Sequence, residues 1–225
     1  MALLALVNSC STESHRWSDN SRERASIGNA AAVEDKGYTV LSLDEAFGIH
    51  SYNEIVEDFL SRQSGSREIT KVIMEETRRH NLPISLTFSL AWGESRFNPF
   101  AVNWNESSVD RGLFQLNNRS FPELQENQFF DPVLNTKNGV AYLKYCLERG
   151  DSEVTALAMY NAGPRRISER GAPKMTLDYI DKIISYRQEL DDDFQAELRD
   201  MLAAYPETKN GKKVGLIVDR APSYQ

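Results

Sequence analysis

Nine residues, Ile84 to Trp92, set the terms for the rest of this chain. Ile84, Leu86, Phe88, Leu90, Ala91 and Trp92 are apolar, and the positions between them carry nothing more polar than serine or threonine. Wound as a helix, this segment has no solvent face, and a helix apolar on all sides is stable only when protein surrounds it. Pro83 suits the first turn of such a helix, and His80-Asn81-Leu82 separates it from the element before. The remainder of the chain must supply elements to enclose it.

Those elements read as helices. Ile69, Val72, Ile73 and Thr77 share a helical face, with Lys, Glu and Arg opposite. Phe129-Phe130-Asp131-Pro132 leads into a helix through Val140, Leu143 and Leu147, stopped at Gly150. Asp151 or Ser152 caps the next, in which Val154, Leu157, Ala158 and Asn161 share a face until Gly163-Pro164 ends it. Thr176 opens another, carrying Tyr179, Ile180, Ile183 and Ile184. Residues 67–190 are therefore expected to form an all-α domain around one central buried helix.

Outside that span the signals are weaker. Ser51-x-x-Glu54 matches a capping box, followed by a helix with Ile55, Val56, Phe59 and Leu60 on one side; Ser64-Gly65-Ser66 ends it and marks a domain boundary. Tyr38–Leu43 reads as a short strand. Asp191-Asp192-Asp193 suits the positive end of a new helix, with Phe194, Leu198, Met201, Leu202 and Tyr205 as its apolar stripe. Asn210-Gly211 signals a turn, and Val214–Val218 a strand that pairs with Tyr38–Leu43. Residues 11–66 and 191–225 are thus expected as small extensions, the first beginning with a polar tether to about Lys36.

The sequence has 225 residues, 40% hydrophobic and 26% charged, which is ordinary for a globular chain. A formal charge of −7 excludes nucleic acid as the main partner, since phosphate binding requires a basic surface. Residues 1–10 begin with the apolar run Met1–Val7, followed by Asn8-Ser9-Cys10. This reads as the end of a secretory segment meeting a lipoprotein processing site, with Cys10 lipidated and the protein exported to the periplasm and anchored to membrane. The alternatives are an apolar start without consequence, or a true start upstream. Cys146 falls at a buried helical position and reads as a small apolar residue rather than a disulfide partner of Cys10. His15, His50 and His80 are isolated from other ligand types, so neither a metal nor another cofactor is expected.

Chemistry is expected where the central helix ends. Glu94 follows Leu86 and Leu90 at intervals of four, so its carboxyl projects from an apolar face. Desolvation raises a carboxyl pKa, as a general acid working near neutral pH requires. The bland alternative is a buried glutamate paired with Arg96 or Arg111.

Three ordered motifs decide between these. Glu94-Ser95-Arg96-Phe97-Asn98-Pro99, Gly112-Leu113-Phe114-Gln115 and Ala158-Met159-Tyr160-Asn161-Ala162-Gly163 stand at suitable spacings. Over about residues 67–186 the chain resembles the catalytic domain of the soluble lytic transglycosylases, which cleave bacterial peptidoglycan and share a goose-type lysozyme fold. The family's Glu-Ser-x-x-x-Pro, Gly-Leu-Met-Gln and Ala-Tyr-Asn-Ala-Gly motifs are recognisable, with Phe114 in place of Met and Met159 inserted before the tyrosine. Asp131-Pro132, Asn135 and Gly139 resemble its next helix. The resemblance implies that Glu94 is the catalytic acid/base and that the partner is the peptidoglycan glycan strand. It further implies that Ser95, Gln115, Tyr160, Asn161 and Tyr179 line the groove or orient the glutamate, with Phe114 as groove floor.

The implied reaction uses one carboxylate. Glu94 protonates the oxygen between N-acetylmuramic acid and N-acetylglucosamine, the substrate acetamido group stabilises the oxocarbenium-like centre, and the sugar 6-hydroxyl attacks to give a 1,6-anhydro end. Ser108-Val109-Asp110-Arg111-Gly112-Leu113-Phe114-Gln115-Leu116-Asn117 also resembles the stretch of animal lysozymes that carries their second carboxylate. Glycoside hydrolysis usually pairs two carboxylates roughly 5–10 Å apart. Asp110 is either that second group, making the protein a hydrolytic muramidase, or an organiser of its loop. A non-catalytic glycan-binding scaffold is the third reading.

Overall fold

The computed structural model describes residues 40–204. Eight α-helices account for most of them: α1 (Leu43–Phe47), α2 (Asn53–Ser64), α3 (Arg67–His80), α4 (Ile84–Ser95), α5 (Pro132–Arg149), α6 (Glu153–Ala162), α7 (Pro164–Arg170) and α8 (Lys174–Ala204). Between α4 and α5 lies a small antiparallel sheet of β1 (Val102–Trp104), β2 (Val109–Arg111) and β3 (Leu116–Asn117), in the order β1-β2-β3. The fold is all-α and lysozyme-like, as expected, with this sheet where only a polar loop was anticipated. Among the described residues no helix is long and apolar enough to cross a membrane.

Helix α4 is central because nothing from Ile84 to Ala91 is polar enough to face water. Every residue from Ile84 to Ala91 is buried, and α1, α3 and α8 pack around it. The Ser85 and Thr87 hydroxyls find partners at little cost, whereas Ser89 Oγ is buried without one. Thr87 Oγ1 donates to the Pro83 carbonyl at 3.0 Å, and Ser85 Oγ donates to Asp44 Oδ2 at 2.6 Å. Arg187 of α8 donates through Nε to Ser85 Oγ at 2.7 Å and through Nη1 to Glu153 Oε2 at 2.6 Å. One polar knot thus joins α1, α4, α6 and α8.

Four local expectations are corrected. The strand expected over Tyr38–Leu43 is absent from its described part, residues 40–43. Ser42 instead caps α1, accepting from Glu45 N while Glu45 accepts from Ser42 N, a capping box that outcompetes extended structure. The capping box expected at Ser51 and Glu54 does not form; a 3-10 turn, His50–Tyr52, runs directly into α2 and Tyr52 makes no side-chain cap. No helix starts at Asp191. Helix α8 continues through it because Ile180 and Ile183 before it and Leu190, Phe194 and Leu198 around and after it are all buried on the same helix. Asp191 turns to a different helix, accepting from Leu43 N at 2.6 Å. Finally, α7 follows directly on Gly163, where the reading from sequence ended α6 and placed nothing before Thr176. The Val214–Val218 strand, the Asn210-Gly211 turn and Cys10 lie outside the described residues.

A single hydrophobic cluster runs from Leu41 to Leu198. Phe59 of α2 meets Phe194 of α8 edge to face, with centroids 5.2 Å apart, and Gly65, in the left-handed conformation, turns the chain from α2 into α3. Cys146 is buried with a free thiol.

Candidate active site

Glu94 sits in the last turn of α4, and two features of the chain fix it there. The first is Gly93. A Cβ at this position would lie 2.7 Å from Ile183 Cγ1, so only glycine lets α8 approach α4 this closely. One turn before Ile183, that approach brings Tyr179 to Glu94, and its hydroxyl donates to Glu94 Oε1. The second is the abrupt stop after Ser95. Arg96 and Phe97 both adopt positive φ, 56° and 61°, a conformation that costs a non-glycine residue roughly 1–2 kcal/mol. Packing holds them. Phe97 is buried with its ring 4.5 Å from Phe88, and the Arg96 guanidinium lies 3.4 Å above Trp92, which stacks on Tyr186.

Neither arginine is a partner of Glu94. Arg111 donates to Glu126 at 3.2 Å, and Arg96 covers Trp92. Without an ion pair, burial dominates and pushes the Glu94 carboxyl up from 4.5 to about 8. The Tyr179 hydroxyl opposes the shift, the Asp110 charge adds to it, and Lys182 opposes it. Lys182 also donates to the Gly93 carbonyl at 3.3 Å. A carboxyl in this state holds its proton at neutral pH and can deliver it.

The carboxyl faces a cleft of about 360 Å³. The end of α6 and the start of α7 contribute Tyr160, Asn161 and Gly163 to its lining, and the sheet region contributes Asn105, Asp110 and Asn117. Register explains the sheet residues. Asn103, Asp110 and Asn117 are directly opposed across the three strands and so share one face. Asp110 accepts from Asn117 Nδ2 at 2.6 Å and Asn105 Nδ2 at 2.7 Å, which fixes its carboxylate in the lining.

Buried contacts hold the turn that leads into β3. Gly112 has φ 80°, and a Cβ there would collide with Asn135 Nδ2 and the Phe129 carbonyl, each at 2.2 Å. Asn135, itself fully buried, donates to the Arg111 and Phe129 carbonyls and accepts from Phe114 N at 2.7 Å. Tyr160 Oη donates to the Phe114 carbonyl at 2.9 Å, and burial raises its hydroxyl far above its usual range. Gln115, at φ 46°, donates through Nε2 to the Ala101 and Gly112 carbonyls while lining the cleft.

Residues 71–183 match the family model of the transglycosylase SLT domain. The chain belongs to this family. At family level, an SLT domain means peptidoglycan as substrate and lytic-transglycosylase-type cleavage of it.

Within this SLT domain, the structure brings Glu94, Asp110, Gln115, Tyr160 and Asn161 to one cleft, with Tyr179 bonded to Glu94 behind it. Asn161 Oδ1 accepts from Thr176 Oγ1 at 2.7 Å, tying the cleft wall to α8. Two residues expected at the groove stand apart from its lining. Ser95 is buried and its hydroxyl returns to the Ala91 carbonyl at 3.3 Å. Phe114 is fully enclosed, its ring set where Gly139 leaves room; a Cβ on Gly139 would come within 2.4 Å of it. The bulk at this position is absorbed by the core instead of narrowing the groove. Reading the sequence missed Gly93 and four residues that line the cleft, Asn105, Phe121, Tyr142 and Arg166. Only Gly93, a glycine inside a buried helix beside the candidate acid, carried a visible signal. Among the described residues no group of three or more His, Cys, Asp and Glu side chains is arranged to hold a metal ion.

Proposed function

We propose that this protein cleaves the β-1,4 bond between N-acetylmuramic acid and N-acetylglucosamine with Glu94 as its single acid/base, leaving 1,6-anhydro ends. Glu94 gives its proton to the glycosidic oxygen as the bond to C1 breaks. The substrate acetamido group stabilises the positive centre. Glu94, now a carboxylate, takes the proton of the 6-hydroxyl as that oxygen closes on C1, so the proton count is restored without water. The observation that carries this reading is a carboxyl with no cationic ion-pair partner among the described residues, raised to about 8, which still faces an open cleft. General acid catalysis of this kind contributes on the order of 10²–10⁴ in rate. Tyr179 orients the carboxyl, Tyr160 and Gln115 hold the cleft wall, and Asn161 stands at its surface.

A hydrolytic muramidase is the second reading, favoured by one observation: Asp110 lies in the same cleft, with its carboxylate fixed by two amides. Mass spectrometry of digested cell wall separates the two, because an anhydro end is lighter than a reducing end by one water. Anhydro products are expected; reducing ends alone would overturn the transglycosylase reading. Glu94→Gln is expected to abolish cleavage while glycan binding persists. Undiminished cleavage would remove Glu94 from the chemistry, and a wild type that binds strands without cutting them would make the protein a scaffold. Since the substrate lies in the cell envelope, export to the periplasm and lipidation of Cys10 complete the proposal. Incorporation of labelled lipid, lost in Cys10→Ala, is the expected result.

A further inference from the structure

The cleft that holds Glu94 and Asp110 has one cationic side chain in its lining, Arg166 of α7. Nothing in local structure accounts for it. Arg166 stands in the first turn of α7, where the helix dipole disfavours a cation and where no acidic residue offsets it. The residue four positions on is Arg170, a like charge on the same face. Its neighbour Arg165 is paired with Glu169 at 2.8 Å, which leaves that carboxylate engaged. Arg166 itself is exposed and forms no ion pair among the described residues. Gly163, at φ 84° with open space where a Cβ would stand, makes the bend from α6 into α7 that carries Arg166 to the cleft.

A substrate with negative charge entering this cleft meets the carboxylate of Asp110, and the chain as a whole carries a net −7. An unpaired guanidinium in the lining is the group that offsets this, and its planar fork suits a carboxylate. We propose that Arg166 selects glycan strands by binding a carboxylate borne by the muramyl residue. This rests on the peptidoglycan reading above. Such a strand offers that chemistry from two sources: the carboxylates of its stem peptides, or the lactyl carboxylate exposed where the peptide has been removed. The sugar rings themselves are neutral.

Three forms of one substrate test this: intact peptidoglycan, the same strands stripped of peptide by an amidase, and stripped strands whose lactyl carboxylates have been converted to neutral amides. For Arg166→Gln, kcat/KM on a charged form, divided by kcat/KM on the neutral form, is expected to fall roughly three- to tenfold through KM, as for a partly exposed charged hydrogen bond. Arg166→Lys, which keeps the charge, is expected to recover part of it, and added salt is expected to shrink the wild-type preference. A drop confined to intact strands identifies the peptide carboxylates; a drop confined to stripped strands identifies the lactyl group; a drop on both assigns both. An unchanged ratio, or equal loss on charged and neutral strands, would overturn the proposal. If the wild type cleaves none of the three, the peptidoglycan-cleaving reading fails instead, and Arg166 with it.

Discussion

Glu94 is the residue on which the chemistry and the stability of this protein oppose each other. Its carboxyl titrates near 4.5 when solvated and at about 8 when folded, so between those values the native state retains a proton that the unfolded chain releases. Stability therefore declines as pH rises through this window and levels off above it. Glu94→Gln removes the effect, and its melting temperature relative to wild type is expected to climb from pH 5 to pH 8 while activity is lost; thermal scans across that range check it. Activity, which needs the protonated acid, is expected to fall on an alkaline limb near pH 8. Tyr179→Phe sharpens this test. Its hydroxyl lowers the Glu94 pKa, so removing it is expected to move the limb to higher pH and reduce kcat, read from the pH–rate profile. A tyrosine that merely packs would leave the limb where it is. From sequence, Glu94 is legible by its place on an apolar helix, but its proton state is not, because Arg96, next but one in the chain, and Arg111, across the loop, are both candidate partners. Only the engagement of those arginines with Trp92 and Glu126 leaves the glutamate unpaired.

At the scale of elements, the site depends on how closely α4 and α8 approach at Gly93. A methyl group there meets Ile183, and overpacking of this kind costs about 1–3 kcal/mol. Gly93→Ala is expected to lower kcat more than this stability loss alone would suggest, because it displaces Tyr179 from Glu94. Adding Ile183→Ala makes room for the methyl, so the double variant is expected to be less impaired than the sum of the two single ones, a coupling measurable by kinetics and urea denaturation. The small sheet follows a similar logic. Its strands are two or three residues long, too short for a periodic signal, and are held in place by Asn135 of α5 and Tyr160 of α6, residues from beyond the sheet in sequence. That is why the stretch after Glu94 reads only as a polar loop. Phe114 belongs to the same scale: its position in the motif suggests the groove, while the space beside Gly139 draws the ring into the core.

Across the whole molecule, Asp44 ties α1 to both α4 and α8. It accepts from Ser85 N at 2.9 Å, from Ser85 Oγ and from Arg187, which also reaches Glu153. Asp44→Ala leaves a buried hydroxyl and a cation short of partners, and is expected to destabilise the fold by roughly 2 kcal/mol in urea denaturation. The sequence by itself determined that the fold is helical and built around Ile84–Trp92, since a helix without a polar face has to be enclosed. It also determined the ordered motifs that mark the chain as an SLT domain, since these depend only on residue type and spacing. Tertiary structure alone decided which pairs of residues meet. It carried α8 straight past Asp191 and turned that side chain to the first N–H of α1, it chose Tyr179 rather than an arginine for Glu94, and it set Asp110 and Arg166 in one cleft. Each of these joins residues far apart in the chain, and local propensity and periodicity contain no information about such contacts.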